Sequence, residues 1–373
     1  MSNLQMKLSV LYFPHREGHN SIFPLLAYRQ ALEYHGISIH LYTNTDSFLS
    51  SKSDVWIVSG FSLPKLLHSK DITISRFLKN CHDRNVPLIY LSGSDSTGPF
   101  DHEVIQWVDL YLAKQLVRDK SFYLNDHRRH LFRDRYFRDY RFRNQNNFPV
   151  VNYSKEEISK LGLSWNLGLI DWKTQTSSRF IRYSNILFRN GSFPEWNPGK
   201  DLVNRGIDLM FRGNFFSQSH DACRLHRLQT YRVYQKEALN QTTVPSGLVS
   251  NQAYRRELAS SKICLSPFGW GEICYRDFEA FQSRTLLFKP DMSHLETFPD
   301  FYSQDVMVTY DWDARNLSDK IGQVLGNVRN YQDVADAGFE KFQKWTNGTG
   351  AEASFTIHLK KQLENSIQNF SLR

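Results

Sequence analysis

The sequence predicts an α/β chain of two doubly wound domains joined by a crossing linker. Three observations carry that expectation. The chain has 373 residues, more than one hydrophobic core usually serves. Short apolar strands alternate with helical stretches in two separate series. Between Cys264 and Asp291, one strand runs through a glycine-bearing turn into a helix, the form of a ligand-binding unit.

The first series begins with Leu8 to Phe13, a continuous apolar run that reads as a buried parallel strand. A loop is expected over Pro14 to Asn20, then a helix from Phe23 to His35, stopped by Gly36. Strands follow at Ile37–Tyr42, Asp54–Ser59, Pro87–Leu91 and Val108–Ala113, with a helix at Ile74–Arg84. Ligands of such sheets bind beyond the carboxyl ends of the strands. That rule places His15, Glu17 and His19 on the working face, together with Ser92 to Asp101.

Phe148 to Pro198 is poorly periodic and glycine- and proline-punctuated, as a crossing segment would be. The second series has strands at Ile207–Phe211, Lys262–Ser266, Thr285–Phe288 and Val306–Tyr310. Helices are expected at Arg224–Asn240, Tyr275–Gln282, Leu317–Val328 and Tyr331–Trp345, and a last one at Ala351–Gln368. The domains are therefore placed at 1–170 and 171–345, the second including the linker, with 346–373 as a terminal helix.

Composition narrows the class. Hydrophobic residues make up 40% and charged residues 23%, the balance of a soluble globular chain rather than a disordered one. No stretch approaches the roughly 20 apolar residues of a membrane span. The four cysteines show no CxxC pair and read as reduced thiols, so a cytoplasmic protein without a disulfide frame or zinc site is expected. A net charge of +8 favours anionic partners.

The strongest local signal is ICLSPFGWGEICYRDFEAFQSRTLLFKPD. Its strand ends at Ser266, and Gly269 and Gly271 let backbone approach a ligand closely. The helix opening at Tyr275 offers free N–H groups and a partial positive charge to a phosphate. Arg276 can grip a diphosphate in two-pronged fashion. Glu279 shares its helix face and can accept hydrogen bonds from two ribose hydroxyls. Spacing alone equally allows an Arg276–Glu279 ion pair on a buried strand–loop–helix unit.

Over Ile263 to Trp312 this segment resembles the donor site of GT-B glycosyltransferases, and Arg276-x-x-Glu279 looks like their exostosin-type branch. The resemblance implies two Rossmann-like domains facing across a cleft, with the C-terminal helix returning to the first. It implies a nucleotide-sugar donor in the second domain and a saccharide or glycolipid acceptor on the first. Surface polysaccharide assembly is the implied setting, and peripheral contact with an anionic inner membrane face is a compatible one. Within the family pattern Glu279 maps to the ribose ligand and Glu272 to the group near the donor sugar. Glu272 and Glu279 stand one residue closer than in many retaining members, and Arg284 replaces the usual glycine of the turn. These departures leave stereochemistry open. A CMP-activated acidic sugar of the Kdo type is an alternative donor to a UDP- or GDP-sugar.

Further candidates follow. Asp95 is the first choice for a base that deprotonates the acceptor hydroxyl, with Glu17, His15 and His19 as rivals. An Asx turn or helix cap explains Asp95 equally well. Arg212 and Gly213, after the first strand of the second domain, are candidates for a donor phosphate contact. Asp311-Trp312-Asp313 has the spacing of a metal-binding DxD but follows a late strand, so no metal is expected. Residues 128 to 143 interleave seven arginines with five aromatics. That texture suits a solvated amphipathic helix, a patch for an anionic glycolipid or membrane surface, or a nucleic-acid or glycan-binding surface, and the last would make the chain a non-enzymatic binding protein as the alternative to a transferase. No established nucleic-acid module accompanies it, and no nucleic-acid partner is expected.

Overall fold

The computed structural model describes residues 5–68, 70, 72–98, 100–125, 152–173, 184, 191–195, 199–213, 222–245, 247–348 and 350–373. The arginine-rich stretch 128–143 and Asn214 lie outside them.

The first domain is built on strands β1 (Met6–Leu11), β2 (Ile37–Tyr42), β3 (Val55–Ser59), β4 (Leu88–Leu91), β5 (Leu110–Ala113), β6 (Gln115–Val117) and β7 (Leu161–Leu163). All but β6 form a parallel sheet of order β2-β1-β3-β4-β5-β7, with Leu8 opposite both Ile39 and Val55. The order reverses between β1 and β3, which opens a crevice beyond their carboxyl ends. β4 and β5 are apolar throughout, and β3 is apolar up to Ser59, because both faces of the sheet are covered. Trp56, Val58, Leu88 and Tyr111 face one core, while Val55, Ile57, Ile89 and Leu110 face the other.

The second domain continues with β8 (Ile207–Met210), β9 (Ser261–Leu265), β10 (Leu286–Pro290), β11 (Leu295–Thr297) and β12 (Val308–Tyr310). Four of these make a parallel sheet of order β12-β10-β9-β8. β11 instead pairs antiparallel with β6 of the first domain, Leu295 opposite Val117. This ribbon ties the two halves together, and Asn166 adds bonds to Phe298 O at 2.8 Å and Pro299 O at 2.7 Å.

The helix Ala351–Ser371 leaves the second domain and returns to the first. Phe355, Leu359 and Leu363, spaced by single turns, enter the core against Leu8, Val10 and Leu112. Each such buried side chain stabilises by roughly 1.5–3 kcal/mol. Two parallel α/β halves facing across a cleft, with a returning last helix, make the GT-B arrangement.

Local differences from the sequence reading have physical causes. A helix runs over Arg16–Ala27 where a loop was expected at 14–20, so Glu17 and His19 are helical. Gly18 allows this first turn: a Cβ there would lie 2.3 Å from Phe13 O. A short second helix, Arg29–Tyr34, then ends at Gly36, whose φ is +81°. Strands β6, β7 and β11 have three residues each, too few to show a period. The helix Asn251–Ala259 was also not anticipated; Ser250 caps it by accepting from Ala253 N at 3.2 Å.

Candidate active site

The turn after β9 is held from below. The helix Tyr275–Gln282 opens with a capping arrangement in which Asp277 accepts from Cys274 N at 2.9 Å. The same buried carboxylate accepts from Ser266 Oγ at 2.5 Å, Tyr302 Oη at 2.8 Å and Lys289 Nζ at 2.9 Å. Asp277 and Lys289 are both sealed from solvent. Ser266 therefore supports the turn from beneath; it does not line the cleft as a ligand contact would.

Above this support lies an interdomain cleft of about 410 Å³. Gly213, Gly269, Gly271, Tyr275, Arg276 and Glu279 all line it. Gly269 is hemmed in: a Cβ would come within 2.9 Å of Arg227 Nη2. Gly271 meets the first domain backbone to backbone, since a Cβ there would sit 1.2 Å from Asp95 O. The glycines thus serve close approach between protein segments as well as access to the cleft.

Arg276 and Glu279 line the cleft one helical turn apart. The Arg276 guanidinium lies over Phe211 at 5.4 Å and donates through Nη2 to Arg212 O at 2.5 Å. Its Nε is buried and has no partner among the described residues. Burial opposes its charge, yet Tyr254, Cys264, Cys274 and Glu279 around it hold its pKa above the usual value. Glu279 accepts from Tyr254 Oη at 2.7 Å. Burial raises its pKa, against the opposing influence of Tyr254 and Arg276.

Arg212 also lines the cleft, but its guanidinium is committed. It makes two 2.6 Å bonds to Glu257 and a third, at 3.1 Å, to Gly247 O. The cation the sequence did not point to is Arg227, which lines the cleft from the helix Ala222–Glu237 and bonds Phe268 O at 3.3 Å. No local motif marks Arg227; only the packing of its helix against the turn brings it there.

On the facing side, Asp95 lines the cleft and pairs with Lys114 at 2.7 Å. A second, smaller slot adjoins the cleft and shares Leu167 and Tyr275 with it. Glu17 lines this slot and is paired with Arg16 at 2.9 Å. Burial pushes the Glu17 pKa up, but its own backbone N–H and Arg16 outweigh that and lower it. Tyr275, 42% exposed, stands between the two cavities. Burial and the nearby Asp95 carboxylate push its hydroxyl up to about 12.

Two expected catalytic candidates do not face either cavity. Glu272 is fully buried and accepts from Thr97 Oγ1 and Gln115 Nε2, both at 2.6 Å. It joins the domains instead of reaching toward a donor sugar, because Gly271 presses this turn onto the Asp95 loop. Burial raises its pKa, with Thr97 acting the other way. His19 is also fully buried, its Nε2 3.0 Å from Asp171 Oδ2. As a helical rather than loop residue it points inward.

In Asp311-Trp312-Asp313, Trp312 is buried and donates to Asp291 O at 2.9 Å, while Asp313 pairs with Arg315. Among the described residues no group of three or more His, Cys, Asp or Glu side chains is arranged to hold a metal ion. Among the same residues no helix is long and apolar enough to cross a membrane.

No protein-family model matches the chain, and no curated protein sequence does either. Several solved structures are similar to it. An alpha-glucosyltransferase in complex with UDP-glucose and DNA containing an abasic site is 9% identical, with a TM-score of 0.41, over 95% of this chain and 99% of that one. Anabaena HepE in complex with UDP-glucose is 10% identical, with a TM-score of 0.42, over 95% and 100%. A putative UDP-N-acetylglucosamine 2-epimerase from Listeria monocytogenes is 10% identical, with a TM-score of 0.41, over 98% and 97%. The two parallel sheets, with strand orders β2-β1-β3-β4-β5-β7 and β12-β10-β9-β8, and the returning last helix define the fold.

Proposed function

We propose that this protein is a glycosyltransferase that moves a sugar from a nucleotide donor to a saccharide or glycolipid acceptor. The observation that carries the reading is the pairing of Arg276 and Glu279, one turn apart at the open end of a helix, on the wall of an interdomain cleft. First-turn amides have no partner within their helix and suit a diphosphate. Arg276, whose Nε has no partner among the described residues, and Arg227 supply positive charge beside them. Glu279, with one oxygen held by Tyr254, presents the other to a ribose diol. Arg212 serves by fixing Glu257 and the Gly247 loop.

Asp95 is the base of this reading. It lies across the cleft from the helix opening and would take the acceptor proton as the acceptor oxygen bonds to the anomeric carbon and the nucleoside phosphate leaves; a single displacement of this kind inverts that carbon. Metal-independent transfer and a role in surface polysaccharide assembly belong to the same proposal.

A calorimetric panel of UDP, GDP, CMP and their sugars tests it. One nucleotide is expected to bind selectively, with affinity falling about ten-fold or more in Glu279→Ala, as for the loss of a charge-assisted hydrogen bond. No binding by any nucleotide, or the same affinity in the variant, refutes the reading. Activity in EDTA and the anomeric configuration of the product then decide the metal and stereochemical parts.

A further inference from the structure

We infer that Gln115 is a positioning residue of the transfer step: its side-chain amide ties the main chain of Asp95 to the Glu272 turn, so that the base and the donor-side turn are held as one unit. The inference rests on the transferase reading and on Asp95 as its base.

The loop that carries Asp95 has little rigidity of its own. Residues 92 to 98 follow β4 and form neither helix nor strand. The bonds inside the loop come from short serine side chains. Ser92 Oγ accepts from Ser94 N at 3.1 Å, Ser94 Oγ accepts from Ser96 N at 3.3 Å, and Ser96 Oγ donates to Gly98 O at 3.2 Å. A general base must stand about 2.6–3.2 Å from the group whose proton it takes, and a misplacement of about 1 Å costs on the order of 100-fold in rate. Asp95 therefore has to be fixed from outside its loop.

Two consecutive residues between β5 and β6 do this. Lys114 Nζ donates to Asp95 Oδ1 at 2.7 Å and holds the side chain. Gln115 Nε2 donates to Asp95 O at 3.0 Å and holds the main chain. A carbonyl oxygen only accepts, so the nitrogen of the amide must face it. The same nitrogen donates to Glu272 Oε2 at 2.6 Å.

This joint spans both domains. Gln115 is 1% exposed and Glu272 is fully buried, so bulk water does not compete for their bond. The other Glu272 oxygen accepts from Thr97 Oγ1 at 2.6 Å, two residues beyond Asp95. Gly271, beside Glu272, packs against Asp95 O so closely that a Cβ would lie 1.2 Å from it. Gln115 itself stands opposite Thr297 of β11, in the ribbon that joins the domains. The base loop and the turn that opens the Tyr275 helix thus meet at one amide.

Gln115→Met removes that amide and keeps the bulk of the side chain. Turnover is read as release of nucleotide from UDP-glucose, GDP-mannose or CMP-N-acetylneuraminate, with water or a mixture of p-nitrophenyl glycosides as acceptor. In this step the acceptor oxygen bonds to the anomeric carbon, its proton passes to Asp95, and the nucleoside phosphate leaves with the electron pair of the broken C–O bond. The variant is expected to lose about ten- to hundred-fold in kcat, with nucleotide affinity in calorimetry within about three-fold of the parent. In an Asp95→Asn background the same substitution should change kcat by less than about two-fold, because no base remains to be positioned. Gln115→Met/Glu272→Met replaces both buried partners by apolar side chains and should show the same loss; it serves if the single variant does not fold. An unchanged kcat, a loss of nucleotide affinity that matches the loss of kcat, or an equal further loss in the Asp95→Asn background overturns the inference. So does a parent chain that binds a nucleotide but releases none from any of these donors. A parent chain that binds no nucleotide defeats the transferase reading itself, and the inference falls with it.

Discussion

Lys289→Met probes the support beneath the candidate site. Lys289 Nζ lies 2.9 Å from Asp277 Oδ1 and 2.8 Å from Oδ2, and neither side chain is exposed. Removing the ammonium leaves Asp277 bonded to Ser266, Tyr302 and Cys274 N, but with a buried charge and no ion-pair partner among the described residues. Breaking one partner of such a pair costs about 3–5 kcal/mol. For a cooperative unit of about 150–250 residues, each kcal/mol lowers the melting temperature by about 2–4 °C, so a fall of roughly 6–20 °C is expected in calorimetry. The double variant Asp277→Asn/Lys289→Met removes both charges and should recover part of the loss, with a coupling of roughly 0.5–3 kcal/mol. Nucleotide affinity of the folded single variant should also fall, because Asp277 orients the opening turn of the Tyr275 helix. A single variant costing less than about 1 kcal/mol, or a double variant no more stable than the sum of its parts, would refute the reasoning.

Three other expectations follow from the same geometry. Gly271→Ala places a Cβ 1.2 Å from Asp95 O, so the domains must separate locally; small-angle scattering should show a wider particle, and transfer activity should fall by about ten-fold or more. Arg284 has φ of +54° and is paired with Asp336 and Asp201. Arg284→Gly relieves strain while losing surface pairs and should be within about 0.5 kcal/mol of neutral, whereas Arg284→Ala loses the pairs alone and should be about 1 kcal/mol worse by chemical denaturation. Glu272 has a pKa raised by burial, so its protonated form favours the folded state. Its contribution should be fully present below the ordinary glutamate range and be lost as pH rises through the raised value. Glu272→Gln should melt with a flatter pH dependence over that window, and identical profiles would contradict the burial argument.

How much was legible in the chain can be judged residue by residue. The helix Tyr275–Gln282 has the bounds its apolar spacing indicates, because Phe278 and Phe281 recur at helical intervals beside a strong turn. Gly36 ends the helix in a left-handed backbone conformation that glycine, lacking a Cβ, adopts without the penalty other residues meet. The continuous apolar runs at β1, β3 and β4 announce strands covered on both faces. Those properties are local: they depend on neighbours within a few residues, and composition and order record them directly.

The division of labour within the site is not local. Arg212 and Arg227 look alike as isolated arginines; Glu257 occupies the first, and helix packing turns the second toward the cleft. Glu272 and Glu279 stand seven positions apart on one turn–helix unit, yet the contact of Gly271 with the Asp95 loop buries the first between domains and leaves the second on the cleft wall. Sequence by itself determined where strands, turns and helix openings fall, since backbone preference and periodic burial are written along the chain. Only the tertiary structure decided which charges are committed and which remain for a ligand, because that depends on partners tens to hundreds of residues away.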